Sequence, residues 1–94
     1  MGIELFLNDK YKLLKLLYDN QTIVLSKKII PLTQQEIGSV LGMSKAKINS
    51  LIGDLQANGY IALEARGKYV LLEKGILMVE DLKKTEARLN KFSE

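Results

Sequence analysis

The chain contains no cysteine and no histidine, and only one proline. Without cysteine, disulfides and thiolate metal sites are excluded. Without histidine, the commonest general base and metal ligand is missing. The remaining residues offer no paired carboxylates, no phosphate-cradling loop and no nucleophile–base arrangement. The expectation is therefore a protein that is not an enzyme and needs no cofactor or metal. No apolar run approaches the roughly 18 residues needed to span a bilayer. The N-terminus, Met1-Gly2-Ile3-Glu4, lacks the basic start and cleavage site of a signal peptide, so a cytoplasmic location is expected and no membrane partner. Internal repeats, low-complexity segments and Gly/Ser linkers are missing too.

What is present is 94 residues, 47% hydrophobic and 27% charged. That is globular rather than disordered, and enough for a single core but not for two. One domain over 1–94 is expected. The formal charge of +3 is unevenly placed. Residues 1–21 and 73–94 each balance to zero. Residues 22–72 hold Lys27, Lys28, Lys45, Lys47, Arg66 and Lys68 against Glu36, Asp54 and Glu64. A basic middle suits an anionic partner such as nucleic acid, although a solvated surface with a chance imbalance would look the same.

Along the chain, Asn8 to Asp19 reads as a helix. Its apolar face, Leu13, Leu14, Leu16, Leu17 and Tyr18, is broader than a one-sided surface helix needs. Burial on two sides is expected, by the domain and by a second subunit. Thr22 to Leu25 and the following Ile29-Ile30 suggest a short strand or hairpin, and Pro31 bars continuous helix into the next element. Thr33-Gln34-Gln35-Glu36 fits a capping box, opening a helix to about Leu41 with Ile37, Val40 and Leu41 on one face. Gly42 is the expected left-handed stop and Ser44 the next N-cap. A second helix follows to near Asn58-Gly59, with Ile48, Leu51, Ile52 and Leu55 inward. Residues 60–72 read as a hairpin turning at Ala65-Arg66-Gly67, and 75–92 as a C-terminal helix. On that helix Met78, Leu82, Thr85, Leu89 and Phe92 alternate by four and three residues. The fold class this order implies is mainly α with a small β-hairpin wing: a winged helix-turn-helix, with the helix pair at 33–58 and the wing at 60–72.

Two features separate the helix pair from an ordinary packed αα-hairpin. Gly38 sits mid-helix, where glycine costs about 1 kcal/mol against alanine, so a close approach by the next helix is expected. The first turn of the second helix, Ser44-Lys45-Ala46-Lys47, carries two lysines and no acid. The helix dipole disfavours cations there by roughly 0.3–1 kcal/mol each. Lysines at this end make sense if the turn meets phosphates or base edges. The outward face supports that, because Ala46, Ser50, Gly53 and Ala57 form a small-residue stripe flanked by Asn49 and Lys47. Such a face can sit deep in a groove, with Asn able to read adenine, Ser either base, and Ala a thymine methyl. A helix–protein contact is the competing reading of the same stripe. The expected DNA-contacting set is Ser44, Lys45, Ala46, Lys47, Asn49 and Ser50, with Arg66, Lys68 and Tyr69 from the wing.

"LTQQEIGSVLGMSKAKINSLIGDLQANGYI", followed by "RGKYVLLEKG", resembles bacterial winged helix-turn-helix regulators, nearest to the DNA-binding half of the catabolite activator and fumarate–nitrate regulator family. The resemblance runs from about Leu32 to Gly75. By it, Ser44, Lys45, Ala46, Asn49 and Ser50 fall where family members contact DNA bases or backbone. This sequence departs from the pattern in three places. About 30 residues precede the motif, so no cyclic-nucleotide-binding barrel is expected before it. Lys45-Ala46 replaces the usual basic–acidic pair, and Ser50 stands where arginine is common. The terminal helices look more like those of small dimeric winged-helix repressors, and "LTQQEI" also resembles winged helices of plasmid and phage replication initiators. The resemblance implies sequence-specific binding of double-stranded DNA by a small, repressor-like transcriptional regulator. It would act as a homodimer joined through its N- and C-terminal helices. A replication initiation or partition module and a winged helix used for protein contacts are the alternatives.

Overall fold

A computed structural model of the chain describes residues 8–64 and 68–93. Arg66, at the tip of the expected wing, and the side chain of Phe92 lie outside the described residues. The first helix, α1 (Asp9–Asp19), starts as its sequence dictates: Asn8 is extended and its side-chain oxygen accepts from the Tyr11 N–H at 3.0 Å. Its buried face is Tyr11, Leu13, Leu14 and Leu17. The breadth of this apolar surface is taken up within the domain, because α1 packs against three helices, α2 (Gln34–Leu41), α3 (Lys45–Ala57) and α4 (Glu73–Ser93). A second subunit is not needed to cover it. Leu13, Leu17, Ile30, Ile37, Ile48, Ile61 and Val79 are fully buried. At roughly 1.5–3 kcal/mol for each buried aliphatic, this set is what holds the helices together.

The ambiguous segment after α1 is an antiparallel hairpin of β1 (Thr22–Val24) and β2 (Lys27–Ile29), pairing Thr22 with Ile29 and Val24 with Lys27. Its two-residue turn puts Leu25 at φ 51° and Ser26 at φ 64°, the twist that a right-handed hairpin requires. The hairpin is not free-standing. The Ile30 N–H donates to the Tyr69 carbonyl at 2.9 Å. That bond joins it to the wing, an antiparallel pair of β3 (Ile61–Leu63) and β4 (Tyr69–Leu71) in which Ile61 faces Leu71 and Leu63 faces Tyr69. Lys27 Nζ to Glu64 Oε1, 2.8 Å, ties the same two hairpins at the surface.

The helix pair forms as its local signals demand. Thr33 Oγ1 accepts from the Glu36 N–H and Glu36 Oε1 accepts from the Thr33 N–H, both at 3.1 Å. The bond from the Thr33 backbone N–H, aided by the Thr33 side chain, holds the Glu36 carboxyl below its ordinary range. Helix α2 stops at Gly42, φ 67°. A Cβ on Gly38 would stand 3.0 Å from the Met43 carbonyl oxygen and 3.6 Å from Ile48 Cγ1. The mid-helix glycine is therefore what lets the turn and α3 close on α2. None of the helices among the described residues is long and apolar enough to cross a membrane.

Candidate nucleic-acid interface

Helix α3 presents the candidate surface. Ser44 is its N-cap, with Oγ accepting from the Lys47 N–H at 3.1 Å. Ile48, Leu51, Ile52 and Leu55 are buried, while Lys45, Ala46, Asn49, Ser50, Gly53 and Ala57 are exposed. Stepping about 100° per residue places the small stripe outward. Lys47 and Asp54 stand on one flank, and Lys45, Asn49 and Gln56 on the other. The first flank is occupied. Lys47 Nζ lies 2.5 Å from Asp9 Oδ2 and Lys10 Nζ lies 3.7 Å from Asp54 Oδ2, two surface ion pairs between α3 and the start of α1.

The two lysines of the first turn, both expected to address an anionic partner because the helix dipole disfavours them, therefore differ. For Lys47 the cost is offset inside the molecule by Asp9, whose carboxyl is held below its ordinary range chiefly by the bond from Lys47. Lys45 makes no ion pair among the described residues. The cation the first turn offers outward is Lys45, on the same flank as Asn49 and Gln56. Gln56 escaped the sequence reading because it lies three turns from the helix start.

The wing contributes less than its sequence suggests. Lys68, just before β4, is exposed, and its charge adds a little to the lowering of the Glu36 carboxyl. Tyr69 does not face outward. Its side chain is 5% exposed in the core, and its hydroxyl accepts a hydrogen bond from Gln34 Nε2 at 2.9 Å. β4 is buried at all three positions, Tyr69, Val70 and Leu71, so no alternation marks one face as inward. Tyr69 positions the wing against α2 and is not available to a partner. Sequence reasoning also passed over a hollow of about 420 Å³ between α2 and the first turn of α3, where Gln34, Gln35, Ser39 and Lys45 converge. No local sequence signal marks it, because its lining comes from α2, the turn after it and the start of α3 together.

These elements, in this order, with a left-handed turn between α2 and α3 and a hairpin after them, match an established domain type over residues 11–78, that of the Crp-like helix-turn-helix domain. The chain belongs to this family. As a Crp-like winged helix-turn-helix it resembles, in fold, two solved structures. One is a transcriptional regulator of the CRP/FNR family from Thermus thermophilus, 22% identical, with a TM-score of 0.62 over 82% of this chain and 39% of that one. The other is the reduced, Fe(II) CO-sensing protein from R. rubrum, 23% identical, with a TM-score of 0.60 over 74% of this chain and 36% of that one. The Crp-like chain thus spans well under half the length of either. No curated protein matches it.

Proposed function

We propose that this Crp-like domain binds double-stranded DNA in a sequence-specific way and serves a transcriptional regulator in the cytoplasm, with α3 in the major groove. The observation that carries this reading is the outward face of α3. Ala46, Ser50, Gly53 and Ala57 let the helix approach a groove floor, and Lys45 and Asn49 beside them are left unengaged by the rest of the described domain. Ser44 and the side chains of Gln34 and Gln35 at the start of α2 suit phosphate oxygens, as does Lys68 at the wing. Lys47 belongs to the set once it is released from Asp9, and Arg66 joins it on its sequence position between β3 and β4 alone. Membership of a helix-turn-helix family supports the same reading. A homodimer would present two such helices to half-sites about 34 Å apart or a multiple of that.

The test is binding of random and genomic duplexes across a range of salt concentrations. A DNA reader loses about 0.9 log unit of affinity per log unit of salt for each phosphate it neutralises. Steep salt dependence with a preferred sequence is the expected result. No duplex binding at low salt overturns the proposal.

A further inference from the structure

Helix α4 has a second working side. Toward α1 it presents Val79, fully buried, with Lys83 Nζ bonded to Asp19 and Glu86 Oε1 accepting from both Tyr11 and Lys15. To one side of that row, at about 100° per residue, Met78, Leu82, Thr85 and Leu89 line up in a seam. Met78 is 36% exposed and Leu89 40%. Met78 and Leu82 also wall an apolar groove of about 190 Å³ that runs down to Tyr11, Leu14 and Leu55. Asp81 and Arg88 flank the seam on the side away from α1. Both are exposed, and neither makes an ion pair among the described residues.

A second copy of α4 can cover the exposed part of this seam, but only in one orientation. In a parallel pair, residues flanking the seam meet across it five positions on, which would set Asp81 against Glu86 of the partner subunit. That is acid on acid, and Glu86 is already engaged by Tyr11 and Lys15. In an antiparallel pair the outer flanks meet each other, and the order acid-then-base complements itself across a two-fold axis. We propose that two chains pair through antiparallel α4 helices, with Asp81 of each facing Arg88 of the other and Leu89 of each closing over Met78 at the mouth of the other's groove. The proposal deepens the homodimer reading above and rests on it, without depending on DNA.

Sedimentation of the full chain without DNA, at low ionic strength and micromolar concentrations, tests it. Asp81→Arg and Arg88→Asp each set like charges together at both contacts and are expected to weaken the dimer about tenfold. A one-to-one mixture of the two variants restores opposite charges at both contacts and is expected to associate like the wild type. Leu89→Glu is expected to give monomers, with helical content by circular dichroism unchanged. A parallel pair would instead be tightened by Asp81→Arg, which overturns the proposal. So do a monomeric wild type, a mixture no tighter than its components, or a groove filled by the chain's own residues 1–7, which would leave Leu89→Glu without effect. Duplex binding is measured separately, so either reading can fail while the other stands.

Discussion

Lys47 in the first turn of α3 reaches back to Asp9 at the first residue of α1, Nζ to Oδ2 2.5 Å. The pair is half open to water, with 50% of the Lys47 side chain and 35% of the Asp9 side chain accessible. Such pairs contribute little to stability. Its consequence is electrostatic: a cation at the tip of the presented helix is neutralised by the domain itself. Asp9→Asn is expected to free Lys47 and tighten binding to random duplexes. The salt slope should steepen by about one unit, the share of one phosphate contact. Fluorescence anisotropy at several salt concentrations reads this directly. An unchanged slope would show that Lys47 does not reach a phosphate.

The α1–α4 contact should make stability pH-dependent at both extremes. Tyr11 donates its hydroxyl proton to Glu86 Oε1 at 3.0 Å, and Lys15 Nζ lies 3.1 Å from the same oxygen. Burial, reinforced by the Glu86 charge, pushes the Tyr11 hydroxyl up from 10.0 to about 12. Burial pushes the Glu86 carboxyl up as well, but the bonds from Lys15 and Tyr11 outweigh it, and the net position is below 4.5. A raised acid is protonated preferentially in the folded state, so the Tyr11 contribution is complete below pH 10.0 and lost as pH climbs toward about 12. The Glu86 contribution is complete above 4.5 and lost as pH falls below it. Tyr11→Phe is expected to cost about 1 kcal/mol on the plateau between them. It should also remove the tyrosine share of the alkaline decline. Thermal melts across pH check both.

Within the proposed interface, two variants should separate reading from anchoring. Asn49→Ala on the open flank of α3 is expected to relax preference at one or two base pairs, at about 1–3 kcal/mol. Lys68→Ala on the wing is expected to weaken all duplexes alike and to flatten the salt slope by about one unit. Selection from a randomised duplex pool, followed by binding curves on the winners and on scrambled controls, measures both. If the two variants weaken every sequence equally, Asn49 does not read bases.

The β1–β2 turn carries avoidable strain. Leu25 and Ser26 both adopt positive φ without being glycine, and Leu25 is 96% exposed. Non-glycine residues in that region cost roughly 1–2 kcal/mol each, and Asn-Gly is the pair such a turn favours. Replacing Leu25-Ser26 with Asn-Gly is expected to raise unfolding free energy by about 1 kcal/mol in urea titrations. No gain would mean the exposed leucine is held by a contact that offsets its strain.

What was readable from the sequence was what neighbours in the chain decide. Asn8, Thr33 and Ser44 each satisfy backbone donors three residues away, and Gly42 needs only its own left-handed φ. The close approach at Gly38, between α2 and the turn after it, is nearly as local. These features placed the helix pair, its turn and the small outward face of α3. The tertiary structure decided what distant partners control. Asp9 takes Lys47 out of the set of unengaged cations across 38 positions of chain, and Gln34 and the core take Tyr69 out of the wing's outer surface across 35. The breadth of α1 reads as room for a second subunit in the sequence, whereas in the fold α2, α3 and α4 cover it. Local pattern records which side chains are apolar or charged, but whether a charge is spent or a ring is covered depends on which segment folds against it.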